Sequence, residues 1–386
     1  MYNLETIIEE HLSQALSNLA NNYRERGKFQ LSKKLYLKSL KLQKISLPVN
    51  RAYYQPLIAN TFNALATVSI EENRYDVAIK YYKKSLFIVK QLFEENPLKY
   101  SNRLSKNYTD IANLYRRDFQ YEKAEFFYNE ALKIYKDLSP EDFEKSQIKV
   151  LNIYNSLSII CNSQNKFQET KDAYMGALEI YQTLVNEGLA RYQPELAMVL
   201  HDLALLYFKN DRPNKAGEIY LLALEILLYL SQEKGDQYKS ILAKTFHNLA
   251  QIYTSQHEYN DALSAYRESL NLYIELAETD PTKYGPKVAI IFKNLAEFYM
   301  KQQKIELAEY FHLRLIELYT ELSHYNEYAY NLKLAEAIID GVSYYNQHTL
   351  SLYQAEAIIK SYTEEMQEDA LLEEIYCLRQ RRSPAY

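Results

Sequence analysis

The sequence predicts an all-α fold, a solenoid of seven two-helix repeats closed by a C-terminal helical cap. Two observations carry this. The chain has 386 residues, with 7 Gly and 9 Pro against 39 Tyr and no Trp. So few turn formers imply long elements joined by short connections, which means helices. The second observation is self-similarity. Leu249-Ala250, Tyr253 and Ala262 return as Leu295-Ala296, Tyr299 and Ala308, each 46 residues further on. A fixed period in this range marks a stack of supersecondary units.

Taken in order, residues 1–10 begin the first helix. They carry acidic residues and neither a basic n-region nor an apolar h-region, so they do not read as a signal peptide. The repeats follow at 11–56, 57–102, 103–148, 149–194, 195–240, 241–286 and 287–332. In each first helix Leu19, Leu65, Ile111, Leu157, Leu203, Leu249 and Leu295 share a phase, each followed by Ala or, at 158, Ser. In each second helix the small residues Ser32, Ala78, Ala124, Thr170, Ala216, Ala262 and Ala308 come four places before Tyr36, Tyr82, Tyr128, Tyr174, Tyr220, Tyr266 and, breaking the run, His312. These spacings place each set on one helical face. Small residues allow close helix approach, and the tyrosine fills the space beside them. The tyrosine stripe is therefore core, not a stacking platform. SQHEYND at 255–261 is the polar break between the two helices. Pro56, Pro194 and Pro286 are in phase and are expected to precede the next first helix, where a missing N–H is tolerated.

The pattern N-L-A-x-x-Y at 248–253, an aromatic at Tyr259, and A-x-x-x-Y-x-x-S at Ala262, Tyr266 and Ser269 resembles the tetratricopeptide repeat family. The resemblance covers residues 11–332 and implies a right-handed solenoid with a concave groove, lined by the first helices, that holds a peptide or protein segment. The family's usual repeat is 34 residues, so the longer period predicts helices of about 20 residues, roughly 30 Å at 1.5 Å per residue. Long repeats of this kind are similar to bacterial arrays that accompany caspase-like proteases and signalling ATPases. A regulatory subunit that restrains or recruits such an enzyme is the alternative to a plain scaffold or adaptor.

Beyond 332 the phase slips. Stepping 46 residues from Ala308 reaches Gln354, with Ala355 one place off. Residues 333–386 read as a degenerate helical cap, with a last helix near 367–380 and a basic tail, RQRRSPAY; a stack needs such a unit over its final apolar face.

A formal net charge of −5 argues against general affinity for nucleic acid or membrane surfaces. No apolar run approaches the ~18 residues of a membrane span. Cys161 and Cys377 cannot make a disulfide framework, which favours a reducing, cytoplasmic setting. Metalloprotease, phosphate-loop, dinucleotide and nucleophile-elbow motifs are all missing. Carboxylate pairs such as Glu71-Glu72 are adjacent, so on a helix they diverge. His201 and His247 share a repeat position, but their in-phase neighbours Asn155 and Lys293 do not complete a metal site. Cys161 reads as a small buried hydrophobe. Cys377, near Arg379, Arg381 and Arg382, is the one thiol placed for reactivity, so an enzyme site in the cap or groove is the competing class. Asn107-Tyr-Thr109 matches a glycosylation sequon on a helix. The expectation is a non-catalytic protein with no cofactor, metal or small-molecule substrate.

What remains for recognition is a stripe opposite the core. Lys244, Asn248, Gln251 and Ser255 recur at spacings of 4, 3 and 4, one helical face. The third repeat contributes Lys106, Asp110, Asn113 and Arg117 and the seventh Ile290, Asn294, Glu297 and Lys301, with Lys293 beside Asn294. Ile159, Met198 and Leu205 make the middle apolar. His201 and His247 join as hydrogen-bond donors. The stripe suits a segment with an apolar anchor whose backbone and carboxylates meet Asn and Lys side chains.

Overall fold

A computed structural model describes residues 4–138, 140–345 and 350–360, together with Ile375 and Leu378. The expected reactive Cys377, most of the last helix and the basic tail lie outside the described residues. The chain divides into two units, Met1–Thr183 and Leu184–Tyr386. Among the described residues all regular structure is helical.

The first unit contains α1 (Leu4–Glu25), α2 (Phe29–Ser46), α3 (Arg51–Glu71), α4 (Tyr75–Glu95), α5 (Pro97–Arg117), α6 (Tyr121–Lys136), the short α7 (Pro140–Glu144), α8 (Gln147–Ser163) and α9 (Phe167–Asn186), whose last residues fall in the second unit. The second unit contains α10 (Gln193–Lys209), α11 (Pro213–Lys234), α12 (Lys239–Ser255), α13 (Tyr259–Thr279), α14 (Pro281–Lys301), α15 (Ile305–Tyr325), α16 (Glu327–Tyr345) and α17 (Leu350–Lys360). Three-residue 3-10 turns, Ala190–Tyr192 and Asp236–Tyr238, precede α10 and α12. The paired helices run from 16 to 22 residues, the length the long period implies.

The in-phase positions are the core. Ala78, Ala124, Ala216, Ala262 and Ala308 are fully buried, as are Tyr128 and Tyr220. The second small position closes on the first helix of its own pair: Ser269 Oγ donates to the Ala243 carbonyl at 2.7 Å, and Ser39 Oγ to that of Ser13 at 2.9 Å. Leu65 packs backward onto Ala20 and Tyr36 of the preceding pair. Its counterpart Leu19, expected in the core, is 46% exposed, because no earlier pair flanks α1 among the described residues.

The break inside each pair is shorter than SQHEYND suggests: α12 ends at Ser255 and α13 starts at Tyr259. One device makes this turn in the seven pairs from α1–α2 to α14–α15. Gly27, Asn73, Phe119, Asn165, Asp211, His257 and Gln303, all in phase, adopt left-handed φ between 53° and 70°. The next amide then reaches back five residues, as from Lys28 to Tyr23 at 2.8 Å and from Glu258 to Tyr253 at 2.9 Å. This is the Schellman closure of a helix C-terminus.

Between pairs, Asn50, Asn96, Asp280 and Asn326 are also in phase, and each side chain accepts the amide three residues on at 3.0–3.2 Å. These caps start α3 and α14 earlier than the prolines suggested. Pro56 and Pro286 therefore lie inside their helices rather than before them, whereas Pro194 does occupy the first turn of α10. In the second unit α16 and α17 enclose an apolar cluster of Leu334, Ile338, Val342, Leu352, Ala355 and Ile359 against Ile316 and Tyr319 of α15.

Candidate partner-binding face

The first helices lie side by side within each unit. A first helix therefore has a buried flank on either side as well as a buried face, and this decides which candidates reach the surface.

In the second unit Met198 of α10 is 53% exposed, and Lys244 and Ser255 of α12 and Lys293 of α14 are exposed. Leu205, Gln251, His247 and Asn294 are half-buried. Two expected contacts are not available. Asn248, placed opposite the core by spacing, is 7% exposed, and its Nδ2 donates to the Tyr220 hydroxyl at 2.8 Å. His201 is fully buried, with Nδ1 at 2.9 Å from Thr245 Oγ1. The Thr245 hydroxyl donates to the Ile241 carbonyl at 2.8 Å, so His201 must be the donor to it through Nδ1–H. Both residues face the flank where α10, α11 and α12 meet, so they are architecture.

The two histidines do not form a pair. His247 Nε2 accepts from Asn294 Nδ2 at 2.6 Å, which ties α12 to α14. Burial, reinforced by the Lys244 charge, pushes His201 down to about 3; burial and Lys287 push His247 down to about 4. Both are neutral near pH 7. Among the described residues no cluster of three or more His, Cys, Asp or Glu side chains is placed to hold a metal ion.

A residue the stripe left out belongs beside them. Asp202, in phase with Asn248, has its carboxyl raised by burial and opposed by Lys244. The shared phase with Asn248 was the signal that could have found it. Ile290 of α14, 43% exposed, adds a second apolar side chain to the first helices of this unit.

In the first unit Lys106 and Arg117 of α5 are exposed and Asn113 is half-buried. Asp110, one turn from Lys106, is raised to about 6 by burial, which Lys106 opposes. Asn113 accepts from the Tyr128 hydroxyl at 2.6 Å. Arg117 lies 4.9 Å from the centre of the Tyr75 ring and donates to its hydroxyl at 2.9 Å, so its guanidinium is already engaged across two repeats. Ile159 of α8 is 62% exposed. It falls in the first unit, while Met198 and Leu205 fall in the second. Asn107 is fully buried between Asn63 and Ser85 at 2.9 Å each, which closes the sequon to glycosylation. Cys161 is buried, and burial raises its thiol to about 11.

Stacked helix pairs with a common phase, closed by common turns and presenting first helices side by side, define an α-solenoid repeat protein. Tetratricopeptide-repeat models match residues 12–50, 57–137 and 195–275, together just over half of the sequence. The chain belongs to the tetratricopeptide repeat family. No curated protein matches it. Among solved structures it is similar to a signal-transduction ATPase with numerous domains and a tetratricopeptide repeat sensor, from Pyrococcus horikoshii, at 14% identity and a TM-score of 0.51. That match covers 97% of this chain and 55% of the ATPase. It is also similar to the C-terminal part of a TPR repeat-containing protein from Cytophaga hutchinsonii, at 14% identity, covering 78% of this chain and 94% of that one with a TM-score of 0.47. BtubC from P. vanneervenii matches at 23% identity over 64% of this chain and 92% of its own, with a TM-score of 0.42. No described helix is long and apolar enough to cross a membrane.

Proposed function

We propose that the protein is a non-catalytic interaction module whose first-helix face in the second unit holds a segment of a partner protein. The observation that supports this best is the contrast along α10, α12 and α14. Asn248 and His201 are consumed by the stack, while Met198, Lys244, Ile290 and Lys293 stay exposed on the same three helices. Met198 and Ile290, with half-buried Leu205, offer apolar contact. Lys244 and Lys293 offer charge to a carboxylate, and Gln251 offers a polar side chain that no core bond removes. An acidic segment with an aliphatic or aromatic anchor matches this set. The first unit would contribute Lys106 and Ile159 to the same kind of contact. His201 and His247 enter only by positioning α12.

The test is stoichiometric recovery of a partner on the tagged chain, compared with a Met198→Glu/Lys244→Glu variant of unchanged helicity and melting temperature. Loss of the partner at physiological salt supports the face; full retention refutes it. If the recovered partner is an enzyme, a change in its turnover on adding this protein identifies the regulatory reading, and unchanged turnover identifies the scaffold.

A further inference from the structure

The crevice above the N-terminal half of α14, between α13 and α15, is open where two of its counterparts are bridged. Its floor is Gly285 and Val288, and its walls are Ile274, Leu318 and Leu322, enclosing about 540 Å³. Position 285 lies 46 residues past Lys239, and Glu321 lies 46 past Glu275. Lys239 is ion-paired to Glu275 across that earlier crevice. Five repeats before Gly285 stands Gln55, and five before Glu321 stands Gln91; Gln55 Nε2 donates to Gln91 Oε1 at 3.2 Å. A polar bridge from first helix to following second helix thus closes the mouth in both cases. Gly285 has no side chain to make one. A Cβ there would meet Leu322 Cδ2 at 2.8 Å, so the glycine also admits the leucine that forms the wall.

The loss of the bridge leaves charge as well as space. The exposed Glu321 carboxylate makes no hydrogen bond or ion pair with the described residues, and the same holds for the Glu278 carboxylate on the opposite rim. The third rim carboxylate, Glu317, is paired to Arg314 at 2.6 Å. The crevice therefore combines an apolar interior with two uncompensated carboxylates at its mouth. A related crevice in the first unit, with in-phase Val150, Ile180 and Gln147, encloses about 550 Å³, but threonine (Thr183) stands there in the place of Glu321.

We propose that this crevice is a second docking site, separate from the first-helix face, for a protein segment that inserts one large apolar side chain flanked by arginine or lysine. The volume accommodates an aromatic or branched aliphatic side chain with its adjoining backbone, within the usual range of such pockets. The rim selects the flanking charge, opposite to the acidic segment that Lys244 and Lys293 favour.

The experiment uses the full chain with methyl-labelled Ile, Leu and Val, titrated with two capped hexapeptides, Arg-Arg-Leu-Phe-Arg-Arg and Glu-Glu-Leu-Phe-Glu-Glu. The basic peptide is expected to shift the methyl resonances of Ile274, Val288, Leu318 and Leu322, and the acidic one to bind at least tenfold more weakly there. Glu278→Lys/Glu321→Lys should weaken the basic peptide by tenfold or more at unchanged melting temperature. Gly285→Leu, which fills the floor, should abolish the shifts. Met198→Glu/Lys244→Glu should leave them in place. The proposal is overturned if the basic peptide moves none of these methyls, if both peptides bind alike, or if the charge reversal has no effect.

Discussion

The left-handed turn at Gly27, Asn73, Phe119, Asn165, Asp211, His257 and Gln303 permits a two-way test of how the pairs are closed. Gly27 has φ 70°, and a Cβ built on it meets nothing within 4 Å. Gly27→Ala therefore changes backbone preference without changing packing. Holding an L-residue left-handed costs roughly 1–2 kcal/mol, and the stiffer unfolded chain returns about 0.4–1 kcal/mol. The expected net loss is about 1 kcal/mol. Gln303, exposed with φ 60° and with no side-chain hydrogen bond to the described residues, runs the same arithmetic backward. Gln303→Gly should gain about 0.5–1 kcal/mol by relieving the left-handed strain. Each kilocalorie corresponds to about 2–4 °C for a unit of roughly 200 residues. Far-UV circular dichroism during urea and thermal unfolding measures both. A Gly27→Ala chain as stable as wild type, or a Gln303→Gly chain less stable, would refute the assignment of these turns.

Three further outcomes follow from the buried polar groups. Asn248→Ala strands the fully buried Tyr220 hydroxyl and should cost about 1–3 kcal/mol in urea unfolding; partner capture below the melting transition should persist, and its loss would return Asn248 to the recognition surface. Because His201 and His247 are held at about 3 and 4 against 6.5, the unfolded chain binds more protons between these values. Their contribution is complete above pH 6.5 and is lost as pH falls toward 4, each by up to about 1.4 kcal/mol per pH unit. His247→Gln should therefore flatten the pH dependence of the urea midpoint between pH 7 and 5, and an unchanged slope would contradict the burial of His247. Asp110, raised to about 6, works in the opposite sense: its contribution is present below 3.8 and is lost as pH rises through 6. Finally, Cys161 in a Cys377→Ser background should react with an aromatic disulfide reagent only after denaturant is added; rapid reaction of the native protein would disprove its burial.

The period was legible because the small and aromatic residues that allow helix contact recur in one phase, and packing accepts few substitutes for them. The turn was not legible, since Gly, Asn, Phe, Asp, His and Gln all occupy it. The backbone sets that conformation there, with the Schellman closure and helix contacts outweighing side-chain preference. The sequence carries Asn or Asp at the caps 50, 96, 280 and 326, but Pro56 and Pro286, six residues past Asn50 and Asp280, point to later helix starts than the structure has. The recognition stripe was partly legible. A helical wheel divides α12 into an inner and an outer face and places Lys244 and Gln251 correctly. It cannot show that α10 packs on the flank and takes His201, Thr245 and Asn248 out of solvent.

The tyrosine shared by most of the second helices does not always bond to the same side. Tyr36 donates to Asn21 and Tyr128 to Asn113, each within its own pair. In the fifth pair Leu205 stands where Asn21 and Asn113 do, and Tyr220 turns to Asn248 of the next pair. In a stack where each repeat touches its neighbours alone, stability divides into a term for each repeat and a coupling between adjacent ones. The first arrangement strengthens single links; the second strengthens the joint between two. The joint between the fifth and sixth pairs should therefore be among the last in this unit to part as it unfolds.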